Sequence, residues 1–417
     1  MVCVLILLEA CLAAQNNAGP TVSSKARQIQ ESAIVIDTHA DTPQRFLDEN
    51  FDMATVTPTG KGHVDFEKVR EANLGAEFFS IWVEPDQFPG HYMRRAMDLI
   101  DSVYVQAKRH PDRMVMAYSA EDIIKARTGP NKKLATLLGV EGGHAIENDL
   151  HILRDFYRLG VRYMTLTWSN TNEWADSSGD INDPKVEHHD GLTPFGKNVV
   201  LEMNRLGMMV DVSHVADKTF WDAIAVTKAP IIASHSSARA LDPAPRNMTD
   251  DMLRAMGKNG GVVMVNFYSG FISDRFRQAY AAQGPEREAA MKAYEAKLKA
   301  EGKPTTYQYV NEVSKEWTAK IPRPAFNELI DHIDHIAKVA GVEHVGLGAD
   351  WDGVDSLPEG INSVADLPKI TQALLDRGYT EAQIKGILGG NLLRVFREVE
   401  QVSRNLQAQS VTASGSE

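Results

Sequence analysis

The 417-residue chain has only two cysteines, Cys3 and Cys11. Both fall in the first fourteen residues, "MVCVLILLEACLAA". The rest of the chain therefore has no disulfide framework and no thiolate metal site. Any metal there must be held by His, Asp and Glu. Positive charge is also short: 44 Lys and Arg face 56 Asp and Glu, a net charge of -12. That balance excludes the basic face of a nucleic-acid binder. Long apolar runs are missing too. The leading run is too short to cross a bilayer, and no other stretch qualifies, so no transmembrane span is expected. The leader instead reads as a signal segment over residues 1–14, with small residues before a cleavage point at Gln15. "LEAC" around Cys11 faintly resembles a lipoprotein box, and Glu9 is out of place in either. This reading makes the protein an exported one, of the bacterial periplasm or cell envelope, or cytoplasmic if the run is no signal.

What the chain does have is recurring short β-branched runs. They are 33–39, 76–83, 134–143, 161–168, 208–214, 230–236, 261–268 and 344–350. Most are apolar throughout rather than alternating, as in strands buried on both faces of a parallel sheet. Helical periodicity fills the gaps, at 91–110, 192–207, 250–260 and 325–341. In the second of these Thr193 suits an N-cap and Pro194 the first helical position. Eight strand–helix units fit a (β/α)8 TIM-like barrel over residues 25–400. The alternative is a doubly wound open sheet, but no Gly-rich phosphate loop follows the first strand. Residues 270–322 are rich in Ala, Glu, Lys and Arg. They read as a helical insertion before the last strand, a solvated arm by its charge pattern. A lid over a site and a homodimer contact are the other readings. Residues 401–417 read as a polar, disordered tail.

Active sites in such barrels lie at the C-terminal ends of the strands. The first strand runs into His39 and Asp41, the third into Glu141, the fifth into His214, the sixth into His235 and the eighth into Asp350. A single histidine after a strand is more often structural. Three imidazoles and three carboxylates on one rim suit zinc or a similar divalent ion. His39 and Asp41, two residues apart on an extended segment, can reach the same ion. Five ligands, one of them a carboxylate able to bridge, are enough for two ions. Asp37 reads as a turn or supporting residue. His144, His151, His188, His189, His332 and His335 have no strand end to aim them at the site and read as surface or supporting residues.

The stretches "DTHADTP", "GVEGGHAI", "GVRYMTLTWSN", "GLTPFGKNVVLEMNRLGMMVDVSH", "PIIASHSSARAL", "PRNMTDDMLR" and "GLGADWDG" follow one another in the order of a known family. The chain resembles the membrane (renal) dipeptidases, binuclear zinc peptidases of the amidohydrolase type, over nearly all of its length after the leader. The resemblance implies two zinc ions per chain, one on His39 and Asp41, the other on His214 and His235, with Glu141 bridging. It implies that a hydroxide between the metals attacks the carbonyl of a dipeptide substrate. Asp350 would move the proton to the leaving amine, and Arg246 would clamp the substrate's carboxylate. Without the resemblance Arg246 reads as a surface arginine. One position departs from the family: "TLTWSN" places Trp168 where mammalian members have a substrate-contacting histidine. Indole donates one hydrogen bond but neither ligates a metal nor carries a proton. The same metals could serve another amide or a lactam, and a silent binding protein is the reading from a different class.

Overall fold

The computed structural model describes residues 19–414, apart from 130, 304 and 306. The signal segment lies outside the described residues. The strands are β1 Val35–Ala40, β2 Leu74–Trp82, β3 Met114–Met116, β4 Leu134–Glu141, β5 Val161–Thr165, β6 Met209–Asp211, β7 Ile232–Ala233, β8 Val262–Val265 and β9 Val345–Leu347. Every pairing between them is parallel. Neighbours run from β2 through β1, β9, β8, β7, β6 and β5 to β4, and β4 pairs back to β2. That last pairing closes the ring and rules out the open sheet. The ring is the eight-strand TIM barrel expected from the apolar runs.

β3 is the strand the sequence did not announce. It is three residues long, and Val115 at its centre is exposed. It covers only Leu134–Thr136 of β4, the stretch that lies ahead of β5's pairing with Leu138–Glu141. A strand that short and half solvated carries no apolar run to read.

The inner faces of the strands supply one core: Ile36, Phe78, Leu137, Tyr163, Ile232 and Met264 are fully buried together. The outer faces and the helices supply a second, larger core. The helices begin as their sequences dictate. Thr193 accepts a hydrogen bond from Gly196 N (3.3 Å) and caps helix Pro194–Leu206, and Gly341 stops helix Phe326–Ala340.

Two expectations need correction. The supposed tail is helical: helix Asn391–Ser414 packs Leu392, Phe396 and Val399 into the inner core of the barrel. Beyond them Ser403 and Gln407 both donate to Arg205 O (2.7 and 2.9 Å), one of the carbonyls that helix Pro194–Leu206 leaves open at its end. Polar composition here reflects a bonded surface helix. The insertion is not merely a solvated arm either. Its helices Asp274–Ala282, Gly284–Ala300 and Tyr307–Thr318 bring Tyr280, Met291 and Ser314 to the wall of the pocket over the barrel mouth.

Candidate metal centre

Each candidate ligand sits at or just past a strand's C-terminal end. Glu141 ends β4 itself, His39 lies in β1, and His214, His235 and Asp350 follow β6, β7 and β9 within three residues. The ends of β1 and β9 are laced together, Asp41 N donating to Trp351 O (2.7 Å) and Trp351 N to His39 O (3.1 Å). Asp37 holds the same junction from beneath. Its two oxygens accept from His39 N and Ala349 N, each at 3.0 Å. It is therefore a backbone clamp, in the supporting role expected of it. His214 and Asp350 have φ of 68° and 65°. Such left-handed backbone is uncommon outside glycine and clusters at functional sites.

The side chains meet on Glu141. Its Oε2 is 3.2 Å from His39 Nε2, and its Oε1 is 2.9 Å from His214 Nε2 and 3.4 Å from His235 Nε2. Asp41 Oδ2 lies 3.6 Å from His39 Nε2. Donor atoms of His39, Asp41 and Asp350 lie within 4.8 Å of one another, as do those of His39, Glu141 and His235. The structure thus gathers all six residues that the strand ends singled out.

The far nitrogens of the rings are all engaged. Tyr163 Oη donates to Thr38 O (3.0 Å), which leaves its lone pair to accept from His39 Nδ1 at 2.9 Å. Ser234 Oγ donates to Asp211 Oδ2 (2.5 Å) and accepts from His235 Nδ1 at 2.7 Å. Ser169 Oγ stands 3.4 Å from His214 Nδ1. With the proton held on Nδ1, both His39 and His235 turn an Nε2 lone pair toward Glu141. His214 Nε2 and His235 Nε2 are only 2.9 Å apart. Against the pull of burial, the neighbouring carboxylates Glu141 and Asp41 raise the affinity of His39 for a proton, and a divalent metal in its place would take up the same converging lone pairs, so the donor set fits such an ion. Two separate carboxylate oxygens, each facing its own imidazole partners, suit a pair of ions.

Burial strains the set electrostatically. It pushes Asp41 up to about 7 and raises Asp350. It pulls His214 down to about 4, aided by the charge of Arg246. Arg246 stands beside the ligands. Nη1 donates to Ser236 Oγ and Nη2 to His235 O, both at 2.7 Å, while its buried Nε has no partner. Burial lowers it only to about 10, so it stays a cation. Trp168 lies outside the ligand cluster, on the pocket wall. Its ring centroid is 4.9 Å from that of Trp82 and 6.4 Å from that of His214. The pocket encloses about 280 Å³. That is just below the usual range of small-molecule sites, about 300–1,000 Å³.

The sequence did not reveal the residues behind the ligands. Asn266 donates to Asp350 Oδ2 at 3.0 Å. It directly follows β8 and lies inside the run 261–268, which had been given no polar end. Asp211, Ser234 and Tyr163 sit inside strand runs, where polar residues with one strict task look like ordinary strand residues. Asp352, just past Asp350, is taken up by Thr42 Oγ1 (2.8 Å) and His63 N (2.7 Å). The other histidines stay away from the centre. His144 bonds Val83 O, His189 Asn172 O and His335 Asp250, while His151 is exposed. His188 is partly buried, and His332 is buried in the core, between Ala238 N and Ile272 O.

The Tyr163 ring rests on Gly139 of β4. A Cβ at Gly139 would lie 2.0 Å from the ring. Gly139→Ala is expected to displace Tyr163, release His39 Nδ1 and destabilise the fold by about 1–3 kcal/mol. Thermal denaturation checks this, and an unchanged melting temperature would count against the packing described.

The comparisons agree with this geometry. The family model described as membrane dipeptidase, peptidase family M19, matches residues 23–410. Human Dipeptidase 3 is 33% identical over 392 residues, covering 93% of this chain and 69% of the relative. Among solved structures, the probable dipeptidase PvdM from Pseudomonas aeruginosa aligns with a TM-score of 0.75 at 23% identity, over 91% of this chain and 98% of that one. A metallo peptidase from Rhodobacter sphaeroides, liganded with a phosphinate mimic of L-Ala-D-Ala, aligns with a TM-score of 0.69 at 23% identity, over 88% and 100% of the two chains. By sequence and by fold, this chain belongs to the membrane dipeptidase family, peptidase family M19.

Proposed function

We propose that the protein is a zinc-dependent dipeptidase carrying two ions per chain, and that it cleaves dipeptides whose C-terminal residue is of either hand. The observation that carries this is Glu141, whose two oxygens face His39 on one side and His214 and His235 on the other. His39 and Asp41 would hold one ion, His214 and His235 the other, and Glu141 both. Paired divalent ions supply an activated water and a polarised carbonyl.

The chain's own residues do the rest. Arg246 offers its unpartnered Nε–H, with the remaining guanidinium hydrogens, to the free carboxylate of the substrate. Two of its nitrogens are already tied to His235 O and Ser236 Oγ, so the clamp is rigid before substrate arrives. Asp350, oriented by Asn266, takes the proton of the attacking water and passes it to the leaving amine. The peptide C–N bond breaks, the acid keeps the oxygen of water, and the amine leaves with the proton. Trp168 puts an indole, with a single N–H to donate, in the pocket wall. Among the described residues no helix is long and apolar enough to cross a membrane. Read as a signal segment, residues 1–14 support an exported enzyme.

Metal analysis, followed by chelation and zinc add-back on a dipeptide panel, tests the proposal. The expected result is two zinc ions per chain and hydrolysis that chelation abolishes and zinc restores. Activity on N-acyl amino acids but not on dipeptides would favour the broader amide reading. A chain that binds no metal and cleaves nothing would overturn the proposal.

A further inference from the structure

The pocket over the metal centre is walled mainly by Trp82, Trp168, Phe271, Tyr280 and Met291. Besides the metal-centre carboxylates Asp41, Glu141 and Asp350, one further acid lines it. Asp355, on the loop after β9, has its Oδ1 buried and without a hydrogen-bond partner. Its Oδ2 accepts from Ser314 Oγ, and Thr318 Oγ1 donates to its carbonyl at 3.1 Å. Both hydroxyls come from the insertion, and Tyr280 Oη lies 3.2 Å from Ser314 Oγ. The nearest cations are engaged elsewhere. Arg287 stacks 3.5 Å over the Tyr280 ring and bonds Tyr280 O, and Lys315 pairs with Glu312. Burial raises the Asp355 carboxyl above its ordinary range, outweighing the bond from Ser314 and the through-space charges of Arg287 and Lys315. Asp355 and Val354 also line a second cavity, of about 500 Å³, whose wall includes Lys315 and Arg323.

A buried carboxylate oxygen with no donor is expensive, and a cation delivered by a ligand relieves the cost. Aromatic faces leading to it favour a cationic group as well as an apolar stem. We propose that this pocket takes a substrate side chain with a long apolar stem ending in an ammonium or guanidinium group, and that Asp355 selects it. The inference rests on the dipeptidase reading and names its substrate class.

The test is a set of dipeptides on the zinc-loaded full chain, each with alanine at one position and lysine, norleucine or glutamate at the other. Norleucine has the apolar stem of lysine without the charge. At one of the two positions, kcat/KM for lysine is expected to exceed that for norleucine by about tenfold, the worth of one charged hydrogen bond. In Asp355→Asn the ratio is expected to fall toward one. A ratio taken within one variant does not depend on how much of it is folded, so poor folding cannot imitate the result. Norleucine equal to or better than lysine at both positions overturns the inference while leaving the dipeptidase intact. So does a lysine preference that survives in Asp355→Asn. Absence of hydrolysis for every dipeptide, Ala-Ala included, overturns both readings together.

Discussion

Glu141→Gln is expected to strip the protein of metal and of activity together. The change keeps the size of the side chain and removes one charge. In the structure that charge serves three imidazoles, at 3.2, 2.9 and 3.4 Å through two different oxygens. An amide offers one good acceptor and would aim two N–H donors at the opposite ring nitrogens. Those nitrogens are lone-pair atoms, because the protons of His39 and His235 are engaged with Tyr163 and Ser234. Residues that merely orient metal ligands are worth about 10–100-fold in metal affinity or activity. A side chain that reaches both halves of the ligand set should exceed that. The expected outcome is a metal content well below two ions per chain after dialysis, and a fall in kcat/KM of more than about 10³-fold. A variant that retained both ions and lost less than about tenfold would refute the bridging role of Glu141.

The same residues show what could be read in advance. The ligands were visible because they are polar residues ending apolar strands, and because the barrel sends all such ends to one rim. The strands themselves were visible because both faces are buried, which leaves an unbroken apolar run. The supporting groups were hidden for the converse reason. Tyr163 serves His39 only because β5 pairs with β4 and Gly139 leaves a place for the aromatic ring. Asp211 reaches Ser234 at the end of the neighbouring strand, and only the register of β6 on β7 puts them together. The insertion misled through its outer face. Its charges are solvated as read, yet Phe276, Leu298 and Thr318 are buried beneath them and carry Tyr280 and Met291 over the site. The tail misled in the same way, since Ser403 and Gln407 are polar because they bond a helix end.

Asp350→Asn should separate chemistry from metal binding. Asn is suited to the test, since it tolerates the left-handed backbone that Asp350 adopts, φ 65°. Its carbonyl can still accept from Asn266 Nδ2, so the side chain should stay in place. What it cannot do is accept a proton. If Asp350 moves the proton from water to the leaving amine, kcat should fall by about 10²–10⁴-fold, the usual worth of a general acid–base group. KM should change little, because Arg246, not Asp350, reads the substrate's carboxylate. Metal content should remain at two ions per chain. The last readout decides the assignment, because a donor oxygen of Asp350 also lies within 4.8 Å of those of His39 and Asp41. Were Asp350 a ligand, the amide would weaken the ion on His39 and Asp41, and added zinc would restore part of the rate. Were it the proton carrier, no concentration of zinc would. Loss of rate at full metal occupancy, unmoved by added zinc, assigns Asp350 to the proton, and rescue by zinc assigns it to the metal.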